Sequence, residues 1–289
     1  MSITKSVSLA LLVALSLIVA SMDAADAKTA KTPTAPATSN SVPNIIPAPQ
    51  QWTPATGTFD ITAAAITCPT EQLGSLKAIL EQLRRDLVTA GATKTKLSVT
   101  TLEAIRRKKT GNQISFAIIP TQGQFGKTGG RNPEGYTIQI KPNQITVNAP
   151  TPTGIFYATQ SLLQMAMQSP KLPCGLIKDW PKYRVRSLML DVGRKFFPYD
   201  TVKQYIRLMG FLKMNELHLH ISDNSFGAEA YPGFRIECKT MPQLTNTDGH
   251  YTKAQIREMQ DFARQRGVSI VPEIDAPGHA FCFTRLRSD

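Results

Sequence analysis

A chain of 289 residues, 42% hydrophobic and 19% charged, carries enough apolar material for one large domain or two smaller ones. Its net charge of +12 brings nucleic acid to mind as a partner. The Lys and Arg residues are scattered, however, and the densest run, Arg106–Lys109, has no interleaved aromatics, which argues against that partner. Four cysteines (Cys68, Cys174, Cys238 and Cys282) lie far apart with no CxxC pair, which argues against a zinc site built from them.

Residues 1–27 read as a cleaved signal peptide. Lys5 gives a basic start, Leu9 to Ala20 is an apolar run too short to span a bilayer, and Ala25-Asp26-Ala27 fits a small-x-small cleavage site. No cysteine follows to carry a lipid anchor, and no other stretch is a candidate span. The expectation is an exported protein, periplasmic or secreted. There the cysteines can pair in any of three connectivities or stand as isolated buried thiols. Residues 28–43, rich in Thr, Ala, Pro, Ser and Lys, read as a flexible linker.

Residues 44–181 predict a small N-terminal α+β domain. Thr58–Thr67 reads as a strand, and Glu71–Val88 as a helix through Leu73, Leu76, Ile79, Leu80 and Leu83. Gln113–Ile119 is a strand. Tyr136–Ile140 and Gln144–Asn148 alternate with period two across Lys141-Pro142-Asn143, a hairpin signal, and Pro152–Met167 returns to helical spacing. No catalytic constellation falls here, so the domain reads as scaffold.

Asp179-Trp180-Pro181 marks a boundary. Residues 182–289 then alternate strand and helix, which predicts a parallel sheet and the first three βα repeats of a TIM barrel. Val185–Leu190 is the first strand and stops at Asp191-Val-Gly-Arg194. Asp200 reads as the N-cap of a helix through Val202, Tyr205, Ile206, Met209 and Leu212. Leu217–Ile221 is the second strand, ending in Ser222-Asp223-Asn224. Ser225–Tyr251 is an insertion typical of a loop over an active-site mouth. The next helix opens on a capping box, Thr252 with Gln255, and closes at Gly267; Val268–Val271 is the third strand, followed by Pro272–His279. The chain stops at Arg285–Asp289 before a third helix is complete, so a C-terminal truncation is expected.

Polar groups at the C-terminal ends of parallel strands are where α/β proteins keep their active sites. Asp191, Arg194, Asp223, Glu273, Asp275 and His279 should converge there, some of them as structural ion pairs. A ring of carboxylates, guanidinium and imidazole suits a polyhydroxylated ligand, each hydroxyl needing a donor or acceptor. His218-x-His220 with Asp223 has the i, i+2 spacing of a metal pair on one side of a strand. Hydrogen-bonded supporting histidines are the preferred reading.

Four motifs carry a specific resemblance: Asp191-Val-Gly-Arg-Lys-Phe-Phe-Pro198, Leu217-His-Leu-His-Ile-Ser-Asp-Asn224, Tyr251-Thr-Lys-x-x-Ile256, and Val271-Pro-Glu-Ile-Asp-Ala-Pro-Gly-His-Ala280. In this order they resemble glycoside hydrolase family 20, the β-N-acetylhexosaminidases. The upstream segments Glu134–Ile140 and Gly154–Gln164 are similar to that family's N-terminal non-catalytic domain. The resemblance implies a (β/α)8 barrel that takes terminal β-linked N-acetylglucosamine or N-acetylgalactosamine from oligosaccharides or glycans. Hydrolysis is retaining, and the substrate's own acetamido oxygen is the nucleophile. No cofactor is implied. Arg194 would bind the sugar's outer hydroxyls, Asp223 and His279 would belong to the network around the catalytic acid, and Glu273 and Asp275 would shape the pocket. The family's general acid and its acetamido-orienting carboxylate form an Asp-Glu dipeptide, and this sequence contains none. The catalytic residues are therefore absent from this chain, and no turnover is expected of it. Two rival readings are a non-catalytic sugar-binding remnant and a metal-dependent amidohydrolase, whose His-x-His pair sits on its first barrel strand.

Overall fold

Strand β1 (Gln51–Asp60) is the first described element, and β2 (Ala65–Cys68) follows after a turn at Thr62 and Ala63. The single strand expected over Thr58–Thr67 is thus two strands, because that turn reverses the chain and sends β2 elsewhere in the sheet. The computed structural model describes residues 40–93, 97–106, 111–121, 125, 132–224, 232–284 and 286. The expected signal peptide, all but the end of the expected linker, Arg107–Lys109 and residues 225–231 of the insertion lie outside the described residues.

Helix α1 (Leu73–Thr89) buries Leu76, Leu80, Leu83 and Leu87, one stripe at helical spacing. After β3 (Val99–Thr101) and the short α2 (Leu102–Arg106) come β4 (Gln113–Ile118), β5 (Tyr136–Lys141) and β6 (Gln144–Ala149). The last two form the expected antiparallel hairpin, with Lys141 opposite Gln144. Helix α3 (Pro152–Gln168) is capped by the Thr151 side chain and buries every residue from Gly154 to Ala166. A helix buried on all sides lies between two packed layers. One layer is the seven-stranded sheet, ordered β1-β7-β5-β6-β4-β2-β3, whose β7 (Lys171–Asp179) joins β1 to β5. The other is the second half of the chain: Gln164 donates to the Phe211 carbonyl at 3.0 Å and Tyr157 to that of Gly267 at 3.1 Å.

The second half builds β8 (Ser187–Asp191), α4 (Tyr199–Phe211), β9 (Glu216–His220), β10 (Ser222–Asn224), β11 (Pro232–Phe234), α5 (Lys253–Arg264), β12 (Ser269–Glu273) and a short α6 (Phe281–Thr284). Strands β8, β9 and β12 form one parallel sheet in that order. These are the three expected repeats. Among the described strands they make an open sheet, not a closed barrel. Asp200 is not the cap: α4 begins at Tyr199 behind Pro198, and Asp200 lies in the first turn, where its charge favours the helix dipole. The capping box at α5 is present in full.

Both sheets belong to one compact unit, Ser39–Asp289. A buried ion pair ties them together. Lys213, in the left-handed region at φ 58°, donates to Asp179 Oδ2 at 3.0 Å and to the Tyr136 hydroxyl at 2.8 Å. The four cysteines are all free thiols. Among the described residues no helix is long and apolar enough to cross a membrane.

Candidate active site

Register decides which side chains meet. Asp191 lies opposite His220, and His220 opposite Glu273, so the last residues of three adjacent parallel strands stand abreast. Two residues earlier, Met189, His218 and Val271 form the next row on the same face. That face is open: Met189 and Val271 are exposed, whereas Leu190, Leu217 and Leu219 are buried in the second core together with Val202, Ile206, Met209 and Met259 of the helices.

Beyond β8 the chain stays latched to β9, with the Val192 and Gly193 amides both donating to the His220 carbonyl at 3.1 and 3.0 Å. A side chain at Gly193 would bring a Cβ within 3.1 Å of Asp223 N and Cβ, and one at Gly233 would meet the Asp223 carbonyl at 2.1 Å. The two glycines let backbone close over Asp223 from both sides. Its side chain ends up 2% exposed.

A buried carboxylate needs partners. Arg194 bridges, donating to Asp191 Oδ2 at 2.6 Å and pairing with Asp223 Oδ2 at 2.8 Å. The hydrogen bond to Asp191 holds the Arg194 pKa above its ordinary value. His279 Nδ1 lies 2.9 Å from Asp223 Oδ1 and 3.2 Å from Arg194 Nη2. One nitrogen cannot donate to the acid and accept from the guanidinium at once. The shorter, charge-assisted bond wins, so Nδ1 carries the proton and gives it to Asp223. His279 Nε2 then makes no hydrogen bond among the described residues, on a side chain 44% exposed.

His220 is the hub that the sequence reading left among the supporting histidines. Its Nε2 meets Asp223 Oδ2 at 2.7 Å and its Nδ1 meets Glu273 Oε2 at 2.6 Å. Ionised carboxylates only accept, so both ring nitrogens donate and the ring is an imidazolium. Burial opposes that charge, but the bonds to Asp223 and Glu273 outweigh it, and the His220 pKa is raised. His218 Nε2 reaches the same Glu273 oxygen at 3.0 Å. Hydrogen bonding to His220 in turn lowers the Glu273 pKa. The stability contributed by His220 is therefore complete below its unfolded pKa of 6.5 and is lost as pH rises through the higher folded value. That of Glu273 is present above 4.5 and is lost as pH falls through its lower folded value. Urea titrations from pH 5 upward should show stability declining above about pH 6.5, and His220→Gln should remove that decline. A slope unchanged in the variant would place its origin elsewhere.

Of the expected convergent residues, Asp191, Arg194, Asp223, Glu273 and His279 form one connected network. Asp275 does not join it. It sits in the turn after β12, half-buried, with no hydrogen bond or ion pair among the described residues. The Glu273 side chain engages both histidines. Asp191, His220 and Asp223 place one potential ligand atom each within 4.8 Å of one another, the best metal-like cluster among the described residues. Both His220 nitrogens already serve carboxylates, however, and the Arg194 guanidinium occupies the cationic position between Asp191 and Asp223. The donor set fits a buried cation of the protein's own.

Arg235, from the insertion, went unnoticed in the sequence. It is buried, and its Nε and Nη2 donate to the Val192 and Gly193 carbonyls at 2.7 and 2.9 Å. Its Nη1 donates to Asp248 at 2.5 Å and to the Gly249 carbonyl at 2.9 Å. It fixes the loop that carries Arg194. The only signal was its place between Phe234 and Ile236, where alternation assigns it to the solvent side.

Two family models match the chain: glycosyl hydrolase family 20, domain 2, over residues 42–180, and the catalytic domain of the same family over residues 183–285. A β-hexosaminidase of Vibrio furnissii is 31% identical over 169 residues, half of this chain and 26% of that protein. A β-hexosaminidase of Porphyromonas gingivalis is 26% identical over 262 residues, 82% of this chain and 30% of that protein. Among solved structures, the Streptomyces plicatus N-acetyl-β-hexosaminidase in complex with Thio-NAglucal is similar with a TM-score of 0.67 at 30% identity. That match covers 86% of this chain and 49% of the other. The chain thus spans about a third or less of these curated relatives and about half of this solved one.

Proposed function

This chain belongs to glycosyl hydrolase family 20, and from that premise we propose that its strand-end network is the sugar-binding half of a β-N-acetylhexosaminidase active site. The enzyme would release terminal β-linked N-acetylglucosamine or N-acetylgalactosamine with retention. The observation that carries this reading is Arg194, held between Asp191 and Asp223 yet 31% exposed at the open ends of parallel strands. A guanidinium fixed by two carboxylates meets ligand hydroxyls in a preset orientation, without reorganising. Asp223 and His279 present a negatively backed imidazole whose outer nitrogen would orient the catalytic acid. Glu273 supports that dyad through His220, and Asp275 lies at the rim. The nucleophile is the substrate's acetamido oxygen, so the protein must supply an acid for the leaving oxygen and a carboxylate to orient the acetamido group. The family's Asp-Glu pair does both, and this sequence lacks it. Residues 44–181 serve as the non-catalytic domain and 182–289 as the partial barrel. Residues 1–27 direct export to the periplasm or outside the cell, where glycans bearing N-acetylhexosamine are the partners.

Titration calorimetry with N-acetylglucosamine, and a chromogenic N-acetyl-β-glucosaminide assay, test this directly. The chain should bind the sugar saturably, lose that binding in Arg194→Ala, and release no chromophore. No binding would overturn the sugar site, and turnover would overturn the need for the Asp-Glu pair. Reading the gene past Asp289 separates the enzyme from a binding remnant. Further strand–helix repeats carrying Asp-Glu are expected, and a stop codon with none behind it would favour the remnant.

A further inference from the structure

Far from the strand ends in sequence, α1, the start of α3 and the turn after α5 enclose a cleft of about 500 Å3, lined among others by Ile79, Arg85, Thr153, Phe156, Arg264 and Arg266. Arg85 from α1 and Arg264 and Arg266 from the end of α5 bring three guanidinium groups to this cleft, and the nearby carboxylates are already engaged. Glu81 pairs with Arg84 at 2.7 Å, Asp261 with Arg264, and Asp86 accepts from Gln82 at 2.6 Å. Arg266 is the decisive group. It is nine-tenths buried, its face lies 3.5 Å from the Phe262 ring centroid, and Nη1 donates to the Phe262 carbonyl at 3.0 Å. Its remaining N–H groups make no hydrogen bond among the described residues. Burial and the neighbouring Arg207 pull its pKa down to about 10, with Asp86 opposing and Arg85 adding to the repulsion. The seventeen-residue α3 turns its first residues, Pro152 and Thr153, toward the same space, adding the positive end of a helix dipole.

We propose that this cleft binds a phosphate monoester of a small polyol, its dianionic head on Arg85, Arg264 and Arg266 and its carbon body against Ile79 and Phe156. Three guanidinium groups match the three free oxygens of a monoester. The volume is that of a small-molecule pocket and exceeds what a bare oxyanion fills, and the apolar side has no use for one. The site is independent of the sugar-binding reading, since none of its lining residues belongs to the strand-end network.

Calorimetry at low ionic strength with glucose 6-phosphate, inorganic phosphate and glucose provides the test. Glucose 6-phosphate should bind saturably, inorganic phosphate about tenfold more weakly, and glucose not at all. Arg266 is too buried for its replacement to be trusted to fold, so the variant is R85Q/R264Q, with both side chains exposed. It should keep the parent melting temperature and lose affinity for the ester by about tenfold or more. Arg194→Ala should leave ester binding unchanged. No saturable heat, an affinity equal in parent and R85Q/R264Q, loss of ester binding in Arg194→Ala, or phosphate binding as tightly as its ester would each overturn the proposal.

Discussion

Replacing Arg235 by Met should lower the unfolding free energy by about 3–5 kcal/mol, among the largest losses available in the second half of the chain. Met keeps most of the stem volume and its packing near Phe196, so the effect isolates the guanidinium. Four acceptors lose a donor at once: the carbonyls of Val192, Gly193 and Gly249, and the Asp248 carboxylate. Each acceptor left unsatisfied away from water costs about 1–3 kcal/mol. Asp248 is the exception, since it is 44% exposed and can rehydrate. Urea unfolding of parent and variant measures the difference, and a loss below about 1 kcal/mol would mean that water replaces the guanidinium. The same substitution should weaken N-acetylglucosamine binding without any change at a ligand-touching residue, because the freed Gly193 carbonyl adjoins Arg194. Parent-like affinity in a clearly destabilised variant would show that Asp191 and Asp223 hold Arg194 unaided.

Much of this arrangement was legible in the sequence because it rests on local periodicity. Leu73, Leu76, Ile79, Leu80 and Leu83 announce their helix, Tyr136–Ile140 and Gln144–Asn148 their hairpin, and Thr252 with Gln255 a cap. Three short apolar runs ending in acids, Arg and His predicted parallel strands with polar ends, and register then sets Asp191, His220 and Glu273 side by side. What escaped the reading depends on partners distant in sequence. Strand β7 contains Pro173 and Gly175, poor strand formers. It exists because β1, about 120 residues earlier, and β5 flank it, and because Gly175 leaves room for Trp52. His220 looked like one member of an i, i+2 pair. Its role as hub follows from which carboxylates two other strands and a loop bring to its two nitrogens, and no spacing encodes that.

Asp223→Ala should have the larger effect on function. The parent carboxylate is buried, and among the described residues it is shared by Arg194, His220 and His279. Removing it leaves a guanidinium and an imidazolium facing each other across a small void. Breaking a buried pair by deleting one partner costs about 3–5 kcal/mol, because the remaining charge stays desolvated. Only one of those charges can adjust. His220 can release a proton, so its raised pKa should fall, and the decline of stability above about pH 6.5 should disappear together with part of the loss. Arg194 cannot deprotonate and loses its pairing with Asp223, so N-acetylglucosamine affinity should drop by about tenfold or more. Asp223→Asn separates charge from shape. The amide keeps the volume and one acceptor but cannot accept from Arg194, His220 and His279 together. It should recover packing while leaving sugar affinity low and the pH slope flat. Restored affinity in Asp223→Asn would show that the site needs the side chain's shape rather than its charge, and would remove the electrostatic basis for assigning this network to sugar recognition.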